Sequence, residues 1–390
     1  MAHGAVGARD PSVTTAAADS VSVVRDRIVD AAQRGVGLRI VGRGAWLDAG
    51  RPVQANETIS TESLTGITEY VPGDLTLTAR AGTTLAEIRA ASGEHGQWLA
   101  LDPHGSETGT IGATVATGSA GPLVTYFGRP RDLVLGLEFV SGRGVVARGG
   151  GRVVKNVAGF DLTRLFAGSW GTLGVITEVT VRLHARPEAD ETISIGIGAE
   201  LAAQRVRQLL RRLPFTPYAC EVVNEPLAQA LFGRAETTVV VRMGGNGEAV
   251  RAQRAAFTEL GDPKPVDGMV WQQLRSAEPI GAIVFRLSQL PSEIGRVWDA
   301  ALSVARACPG TLVHATPTRG IVRCIVPSPS PQLTDALRDI TSVKRIGERL
   351  TMDLWHEFVP SNTAGDIPSR VKHTFDPQSV LNPGILGQYA

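Results

Sequence analysis

Apolar positions in the first part of the chain follow two different periods. Those within residues 21–34 recur at helical spacing and predict a helix that ends at Gly35. Residues 38–41 and 76–80 are short apolar runs that predict strands, and the second run leads into a helix with the Thr-x-x-Glu spacing of a capping box. This order of strand, turn and helix is not a long alternating βαβ array, so it indicates an α+β fold.

A turn with three glycines precedes the longest predicted strand. The glycines at 168, 171 and 174 allow backbone conformations with positive φ and a close approach to a flat ligand. From Gly174 to Leu183 the residues alternate in the manner of a half-buried strand. The turn is therefore predicted to be anchored by that strand.

The second half of the chain alternates predicted strands with amphipathic helices. Strands are predicted at 192–198, 218–223, 237–243, 282–288, 311–315 and 320–326, and helices at 200–212, 248–260, 292–306 and 331–339. This order predicts two ferredoxin-like units that form one largely antiparallel sheet with helices on one face. The change of pattern near residues 187–190 marks the boundary between two domains.

Charge and cysteine content narrow the possible functions. The 390 residues carry 39 basic and 38 acidic side chains, so no global field attracts nucleic acid or anionic lipid. Cys220, Cys308 and Cys324 lie far apart and cannot supply an iron–sulfur cluster, and their odd number argues against a disulfide framework. We expect a cytoplasmic, reducing setting. No run reaches the roughly 18 apolar residues that span a bilayer, so we expect membrane contact only through a partner.

Two loops are candidates for holding a cofactor. Residues 41–45 follow a strand and offer consecutive backbone amides in a glycine-rich turn, which can hold a pyrophosphate but also occurs in many tight turns. Residues 101–122 alternate Gly, Ala, Thr and Ser, which suits a backbone wrapped around a dinucleotide better than an apolar core.

Several motifs together resemble one family. Residues 155–162 and 168–178 resemble the K-N-x-x-G-[YF]-D-L and G-S-x-G-T-L-G-[VI]-I-T-E motifs of FAD-linked oxidases of the vanillyl-alcohol-oxidase type. Residues 101–121 and the Phe-Asp-Pro to Asn-Pro-Gly segment at 375–384 also resemble that family. Within it, residues 131–140 and 151–162 are similar to the FAD-binding E subunits of bacterial glycolate oxidases.

The resemblance implies a fold and a domain plan. It implies an α+β chain with a two-subdomain PCMH-type FAD-binding domain and a ferredoxin-like cap domain with an antiparallel sheet. We accordingly expect a disordered tail at 1–19, the FAD-binding domain at 20–187, the cap or substrate domain at 188–345, and a C-terminal segment at 346–390 that returns to the FAD-binding domain.

The resemblance also implies FAD and the residues that bind it. The predicted cofactor-binding residues are Val41, Gly42, Arg43, Gly44, Ala45, Pro103, Thr108, Gly109, Thr110, Gly112, Ala113, Thr117, Gly118, Asn156, Gly171, Gly174, Val175 and Ile176. Many relatives carry a histidine in or just after the first loop as a covalent tether, whereas this chain has Ala45 and Trp46. Non-covalent FAD is therefore expected.

Three cap residues are candidates for catalysis. Oxidation of a 2-hydroxy acid requires a cation for the carboxylate and an acceptor for the hydroxyl proton. Arg286 and Arg323 interrupt apolar strands, and His314 ends a strand. Each also suits a structural role. The chain lacks the H-x-G-D-G-N segment that supplies a metal-binding histidine in relatives, so no metal is expected.

Three functions remain open at this level. The first is an FAD-binding subunit of a glycolate oxidase-like complex that oxidises glycolate or a related 2-hydroxy acid by hydride transfer, with a second FAD subunit and an iron–sulfur subunit as partners. The second is a non-catalytic assembly or electron-relay subunit. The third is a self-sufficient sugar or alditol oxidase. We expect the protein to be located at the inner membrane only as part of such a complex.

Overall fold

The computed structural model describes residues 14–151, 161–359 and 365–387, which form two compact units. The first unit comprises the described residues of Met1–Ala120, Gly128–Arg186 and Ser361–Ala390. The second comprises those of Gly121–Phe127 and Pro187–Pro360. None of the helices within these described ranges is long and apolar enough to cross a bilayer.

The elements are numbered in chain order. The strands are β1 Thr14–Ala17, β2 Leu38–Val41, β3 Glu57–Ser60, β4 Ile67–Val71, β5 Thr76–Arg80, β6 Gln97–Trp98, β7 Val134–Ser141, β8 Val146–Gly150, β9 Gly174–Arg182, β10 His184–Ala185, β11 Ala189–Gly196, β12 Ala219–Val223, β13 Thr238–Gly245, β14 Lys264–Val266, β15 Ile283–Ser288, β16 Leu312–Thr316, β17 Ile321–Val326 and β18 Lys344–Arg349. The α-helices are α1 Val21–Arg34, α2 Leu85–Gly93, α3 Ile111–Thr117, α4 Val124–Phe127, α5 Pro130–Leu133, α6 Leu162–Phe166, α7 Ala202–Arg212, α8 Glu225–Phe232, α9 Gly247–Ala256, α10 Val270–Arg275, α11 Ile294–Ala307, α12 Pro331–Asp339, α13 Met352–Phe358 and α14 Asp366–Phe375.

The first unit contains a five-stranded antiparallel sheet and a smaller parallel sheet. The larger sheet has the order β4-β5-β9-β7-β8, and the smaller one has the order β1-β3-β2. The predicted helix over 21–34 is confirmed, with Ser20 as its N-cap and Gly35 at φ 65° as its C-cap. The capping box of Thr84 and Glu87 at the start of α2 is confirmed as well.

The N-terminal tail predicted at 1–19 is ordered over part of its length. Thr14–Ala17 pairs in parallel with β3 over four residues, because the edge of β3 that β2 leaves open offers unpaired backbone groups. The expectation of a disordered tail is therefore wrong from Thr14 onwards. Residues 1–13 lie outside the described part of the chain.

The second unit is built on one eight-stranded antiparallel sheet. The strand order is β14-β11-β13-β12-β16-β17-β15-β18. All six strands predicted in this region are present within three residues of their predicted ends, and so are three of the four predicted helices. The fourth, α9, ends at Ala256, four residues before its predicted end. The α+β class is confirmed. The sequence missed β14, β18, α8, α10 and α13. Each is eight residues long or shorter, so its period repeats too few times to stand out.

Helices cover both faces of this sheet, which corrects the prediction of a single covered face. One face packs against α7, α9, α11 and α12 in a large apolar core that includes Val222 and Trp298. On the other face Ala219 and Val223 pack against α8 and α10. Since side chains alternate across a strand, neighbouring residues of β12 pack into the two different cores.

The chain returns to the first unit later than predicted. The sequence placed the return at residue 346, but β18 pairs with β15 in the second unit. Leu354 and Phe358 of α13 are buried in the core of the second unit. The return therefore follows residue 360. At the other boundary the first unit ends at Arg186, next to the predicted limit at residue 187.

Candidate FAD site and the polar band of the second unit

A pocket in the first unit gathers most of the predicted loops. Its walls are the end of β2 with the glycine loop that follows, one face of α3, the start of β9 with the turn before it, and two C-terminal residues. The lining residues are Arg39, Ile40, Val41, Gly42, Arg43, Gly44, Ala45, Trp46, Leu47, Thr61, Thr110, Gly112, Ala113, Ala116, Thr117, Trp170, Gly171, Gly174, Val175, Ile176, Asn382 and Ile385. The space between them is about 760 Å³, measured out to the open mouth.

The charge of the lining favours an anion. Arg39 and Arg43 line the pocket, and no carboxylate does so among the described residues. Arg39 donates to the backbone carbonyl of Leu47. Burial lowers the pKa of Arg39, and Asp48 partly offsets this. The guanidinium still remains charged at any physiological pH. Two cations without a lining carboxylate suit the two negative charges of a dinucleotide pyrophosphate.

The glycine loop after β2 presents backbone donors. Within the described residues, the amides of Gly42, Arg43 and Gly44 donate no hydrogen bond to the protein. Gly44 has φ 84°, so the chain reverses here in a conformation that other residues rarely adopt. Successive amides on the inside of such a turn form a concave donor site for phosphate oxygens. The residues present therefore fit the pyrophosphate of FAD.

Helix α3 contributes a wall of small side chains. Gly112, Ala113, Ala116 and Thr117 line the pocket and lie on one face of the helix. Because they carry little volume, the backbone of α3 borders the pocket closely. The segment therefore has few large apolar side chains, although much of it is buried.

The glycines of the site are needed chiefly where protein segments touch each other. A Cβ on Gly42 would lie 2.6 Å from Thr110 Oγ1, and one on Gly112 would lie 2.6 Å from the Cβ of Ala81. A Cβ on Gly174 would lie 2.8 Å from the carbonyl oxygen of Val140. The glycines thus let the walls of the pocket pack together. The sequence had related the glycines of the turn before β9 to positive φ and to the approach of a flat ligand, and not to contacts between the walls.

The threonine hydroxyls also act on the protein itself. Thr110 Oγ1 accepts from the amide of Ala113 and caps α3, and Thr117 Oγ1 donates to the carbonyl of Ala113 at 2.8 Å. Thr61 Oγ1 donates to the carbonyl of Val41 at 3.2 Å. The sequence had assigned the run at 101–122, rich in Gly, Ala, Thr and Ser, to wrapping around a dinucleotide. These bonds hold the loop and helix in shape.

Two tryptophans face the pocket from separate loops. The rings of Trp46 and Trp170 meet edge to face, with 6.3 Å between their centroids and an interplanar angle of 88°. Trp46 follows Ala45, and the sequence predicted non-covalent FAD from these two residues because neither is a histidine that could tether it. Since neither side chain can form that covalent bond, non-covalent binding stays the prediction.

Most predicted cofactor residues meet in this pocket, and some do not. Pro103, Thr108, Gly109 and Gly118 are absent from the lining formed by the described residues, and Thr108 is exposed. Gly118 has φ 64° and ends α3, where a Cβ would lie 3.1 Å from Gly168 Cα. Asn156 lies outside the described residues.

Sequence reasoning missed a second group of lining residues. They are Arg39, Ile40, Trp46, Leu47, Thr61, Ala116, Trp170, Asn382 and Ile385. Four of them, Ile40, Trp46, Ala116 and Trp170, are direct neighbours of predicted residues, and the period of α3 could have included Ala116. Asn382 belongs to the Asn-Pro-Gly segment, whose motif was the available signal.

The predicted catalytic residues lie in the second unit, on one face of its sheet. They belong to a cluster that we call the polar band, formed by Glu221, Glu278, Arg286, His314, Thr316, Arg323, Glu348 and Arg349. Strands β12, β16, β17, β15 and β18 carry seven of these residues, and Glu278 precedes β15. The register pairs His314 with Arg323 and Arg323 with Arg286, so the band runs across neighbouring strands.

A buried carboxylate orients His314. Glu221 is 0% exposed, and its Oε2 lies 2.8 Å from His314 Nδ1. Its second oxygen accepts from Thr316 Oγ1 at 2.6 Å. A carboxylate fully removed from water is costly unless it is paired and hydrogen-bonded. The three side chains therefore form one unit, in which Glu221 fixes the orientation of the imidazole ring. Sequence reasoning did not single out Glu221.

Glu348 bridges the two predicted arginines. Its Oε1 lies 2.7 Å from Arg286 Nε, and its Oε2 accepts from Arg323 Nε at 2.8 Å. Glu278 accepts from Arg323 at 2.6 Å and also pairs with Arg349. The Arg323 side chain is 2% exposed, whereas that of Arg286 is 37% exposed. Arg286 is therefore the arginine that solvent can reach.

The part of the band on β15, β17 and β18, together with Glu278, holds more arginines than carboxylates. Burial alone would raise the pKa of Glu348, but Arg323 and Arg286 outweigh it and lower the pKa to about 2. Burial would lower the pKa of Arg323, yet Glu348 and Glu278 raise it. Three arginines thus face two carboxylates in this part of the band. The cluster stays ionised at neutral pH.

Comparison with known proteins agrees with the pocket. The family model described as "FAD binding domain" matches residues 14–150. Glycolate oxidase subunit GlcE of Escherichia coli (strain K12) is 35% identical over 261 residues, which cover 66% of this chain and 69% of that protein. Glycolate oxidase subunit GlcD of Bacillus subtilis (strain 168) is 35% identical over 47% of this chain but only 40% of its own length.

Solved structures support the fold. The structure of p-cresol methylhydroxylase with substrate bound superposes with a TM-score of 0.73, covers 96% of this chain and 88% of that chain, and is 14% identical. At this identity the likeness concerns the fold alone. The pocket fits a dinucleotide pyrophosphate, and the GlcE match extends over two thirds of that protein. The chain therefore belongs to the family of FAD-linked oxidoreductases that includes glycolate oxidase subunit GlcE, and its cofactor is FAD.

Proposed function

We propose that this chain is the FAD-binding subunit of a complex that oxidises glycolate or a related 2-hydroxy acid. The FAD pocket of the first unit is the observation that carries this proposal, together with the match to most of the length of a glycolate oxidase subunit. FAD, when bound, supplies the two-electron acceptor that oxidation of a carbinol carbon needs.

The substrate carboxylate is assigned to Arg286. Its side chain is 37% exposed, and a guanidinium binds a carboxylate through two parallel N–H groups. Arg286 forms an ion pair with Glu348, and the buried Arg323 donates a hydrogen bond to the second oxygen of Glu348. Arg323, which the sequence offered for the same task, is better suited to positioning because two carboxylates already occupy it.

His314 is assigned as the acceptor of the hydroxyl proton. Glu221 holds Nδ1 of the ring, so a proton from a substrate hydroxyl would go to Nε2. A carboxylate that fixes one ring nitrogen also stabilises the imidazolium that forms when the other nitrogen takes up a proton. In this arrangement Glu221 acts through His314 and does not itself contact the substrate.

An anaerobic absorbance spectrum of the FAD-loaded chain tests the proposal. Glycolate is added in one sample and D-lactate in another. Bleaching of the flavin bands is expected in the wild type, with a weaker response in Arg286→Gln. The matched control is Arg296→Gln, because Arg296 is exposed and, within the described ranges, its ion pair is with Glu293 three residues away. Flavin bands that persist with every 2-hydroxy acid, alone and with partner subunits, would refute the proposed reaction.

A second function, an electron-relay or assembly subunit, is favoured by one feature of the polar band. Glu278 and Glu348 already neutralise most of the charge of the arginines that would receive a substrate. In that case the isolated chain keeps oxidised flavin when glycolate is added, and its flavin is reduced only when a second flavoprotein subunit is present. The same spectra therefore separate the two functions.

The partners and location remain parts of the proposal. A second FAD subunit resembling GlcD and an iron–sulfur subunit are the expected partners, and the complex is expected in the cytoplasm, at the inner membrane only through those partners. Co-purification of the tagged chain from its native cells, followed by iron and flavin analysis, tests this arrangement.

A further inference from the structure

The C-terminal segment, residues 365–387, forms part of the FAD pocket instead of merely ending the chain. Asn382 and Ile385 line the pocket beside residues that precede them by more than 200 positions. The amide of Leu38 donates to Val380, and the amide of Asn382 donates to Leu38, so the segment extends the edge of β2. Strand β2 leads directly into the glycine loop of the pocket.

A buried lysine fastens this segment. Lys372 of α14 is 4% exposed, and its Nζ donates to the carbonyl of Thr172 at 2.7 Å, to Asp376 Oδ2 at 2.6 Å and to the carbonyl of Leu381 at 3.3 Å. All three ammonium donors are thus used within the protein. Thr172 lies in the glycine turn that precedes β9. The lysine therefore holds together the segment and one wall of the pocket.

The partner of the lysine organises the rest of the segment. Asp376 is 0% exposed and accepts from the amides of Val380 and Leu381 at 3.1 and 2.9 Å. A Cβ on Gly142 would overlap its carboxylate, so the backbone of the β7–β8 hairpin packs directly against it. A buried ion pair with this many partners is strongly destabilised when one member is removed.

Asn382 connects two further walls. Its Oδ1 accepts from the amide of Ile40 at 2.8 Å, and its Nδ2 donates to the carbonyl of Trp170 at 2.7 Å. The residue itself has φ 42°, a conformation that asparagine tolerates better than most residues. One side chain thus joins β2 to the glycine turn at the surface of the pocket.

We propose that the C-terminal segment closes the FAD pocket and that its docking is coupled to FAD binding, with Lys372, Asp376 and Asn382 as positioning residues. The segment supplies lining residues only when it is docked, so FAD binds the docked state more tightly. By linkage, FAD must then stabilise the docked segment to the same extent. This inference concerns cofactor loading and holds whichever substrate the protein oxidises.

Hydrogen exchange of the full chain with and without FAD tests the coupling. Apo-protein is prepared by removing FAD at high salt, and exchange is followed by mass spectrometry. Amides in residues 366–387 are expected to exchange at least about tenfold more slowly after FAD is added back. Equal exchange of this segment in the two states would overturn the proposal.

Lys372→Met is the corresponding variant, and Arg370→Met is its control. Arg370 lies on the same helix and pairs with Asp366 at the same spacing, but its side chain is 77% exposed. FAD binding is followed by quenching of tryptophan fluorescence, since Trp46 and Trp170 line the pocket. The Kd is expected to rise at least about tenfold in Lys372→Met and less than about twofold in the control. Equal values for both variants would overturn the role of Lys372.

If Lys372→Met does not fold, the variant Asn382→Asp is used to test the same proposal. Aspartate keeps an acceptor for the amide of Ile40 but loses the donor to Trp170, so the chain retains its fold while one wall is released. A weaker Kd and an altered visible circular dichroism of the bound flavin are expected. A purely structural segment would leave both unchanged while lowering the melting temperature, and that result would contradict the proposal.

Discussion

The FAD pocket of the first unit and the polar band of the second unit are built by opposite means. Much of the pocket wall is backbone and small side chains from a few continuous runs, whose glycines let loops and helices touch, and larger side chains such as Arg43 and Trp170 complete it. The band consists of charged side chains from five strands that are brought together by the sheet. A site of the first kind depends on the absence of volume, and a site of the second kind depends on the balance of charge.

The largest effect is expected when a side chain is added to a glycine of the pocket wall. If the pocket still bound FAD, it would not differ from the polar band in the way described. In Gly112→Val, the new side chain would meet Cβ and the carbonyl oxygen of Ala81, at 2.6 and 2.9 Å from the first added carbon. Helix α3 must then move away from its neighbour, at a cost of about 1–3 kcal/mol or more. We expect purified Gly112→Val to carry no flavin, as measured by the ratio of flavin to protein absorbance.

Gly73→Val is the matched control in the same unit. No atom lies within 4 Å of a Cβ built on Gly73, and its φ is not positive. This variant should therefore keep its full complement of FAD. Flavin occupancy in Gly112→Val equal to that of the control would mean that α3 does not form the wall described above.

The polar band should respond to the loss of one charge in stability and not in flavin content. Arg323→Met leaves Glu278 and Glu348 without their shared buried partner, and we expect a loss of about 3–5 kcal/mol in the free energy of unfolding. Urea unfolding measures this change, while FAD titration of the folded variant should give the wild-type Kd. A loss below 1 kcal/mol would show that the carboxylates are paired well enough without Arg323.

These two sites also differ in how far the sequence revealed them. The glycine runs at 42–44 and 112–118 carry local motifs, so the pocket could be predicted from them, although its hydroxyls and glycines proved to act on the protein. Glu221 and Glu348 carry no local signal, because their partners lie on strands that meet only through the sheet order. Arg286 and Arg323 were conspicuous as charges in apolar strands, but their carboxylate partners were not.

The polar band should also make the stability of the protein depend on pH, which the pocket, lined by no carboxylate among the described residues, should not. The folded pKa of Glu348 is about 2, against an ordinary value of 4.5, chiefly because Arg323 and Arg286 outweigh its burial. A lowered pKa gives stability that is fully present above pH 4.5 and is lost as the pH falls toward 2. The shift corresponds to roughly 3 kcal/mol. Urea unfolding at neutral pH and at about pH 3 should show a smaller acid loss in Glu348→Gln than in wild type.

Equal acid dependence of the two proteins would contradict this account of Glu348. Asp335→Asn is a suitable second comparison, because Asp335 pairs with Arg338 at the exposed surface of α12 and its side chain is 73% exposed. Its replacement should leave the loss of unfolding free energy between neutral pH and about pH 3 close to that of the wild type.

The smallest effect is expected for the threonine hydroxyls of the pocket. The test is whether these hydroxyls form hydrogen bonds that stabilise the protein or contact the cofactor. Thr110 Oγ1 accepts from the amide of Ala113 at the start of α3, and Thr110 also lines the pocket. Removal of an N-cap hydroxyl costs about 1 kcal/mol, so Thr110→Ala should lower the melting temperature by a few degrees and weaken FAD binding only through α3. Thr110→Ser keeps the cap and should restore both quantities. If serine restored stability but not FAD affinity, the threonine methyl group, which a Cβ on Gly42 would approach to 3.6 Å, would be the part of the side chain that shapes the pocket. A full rescue would instead show that the Thr110 side chain acts on the backbone of α3, in contrast to the side chains of the polar band, which pair with one another.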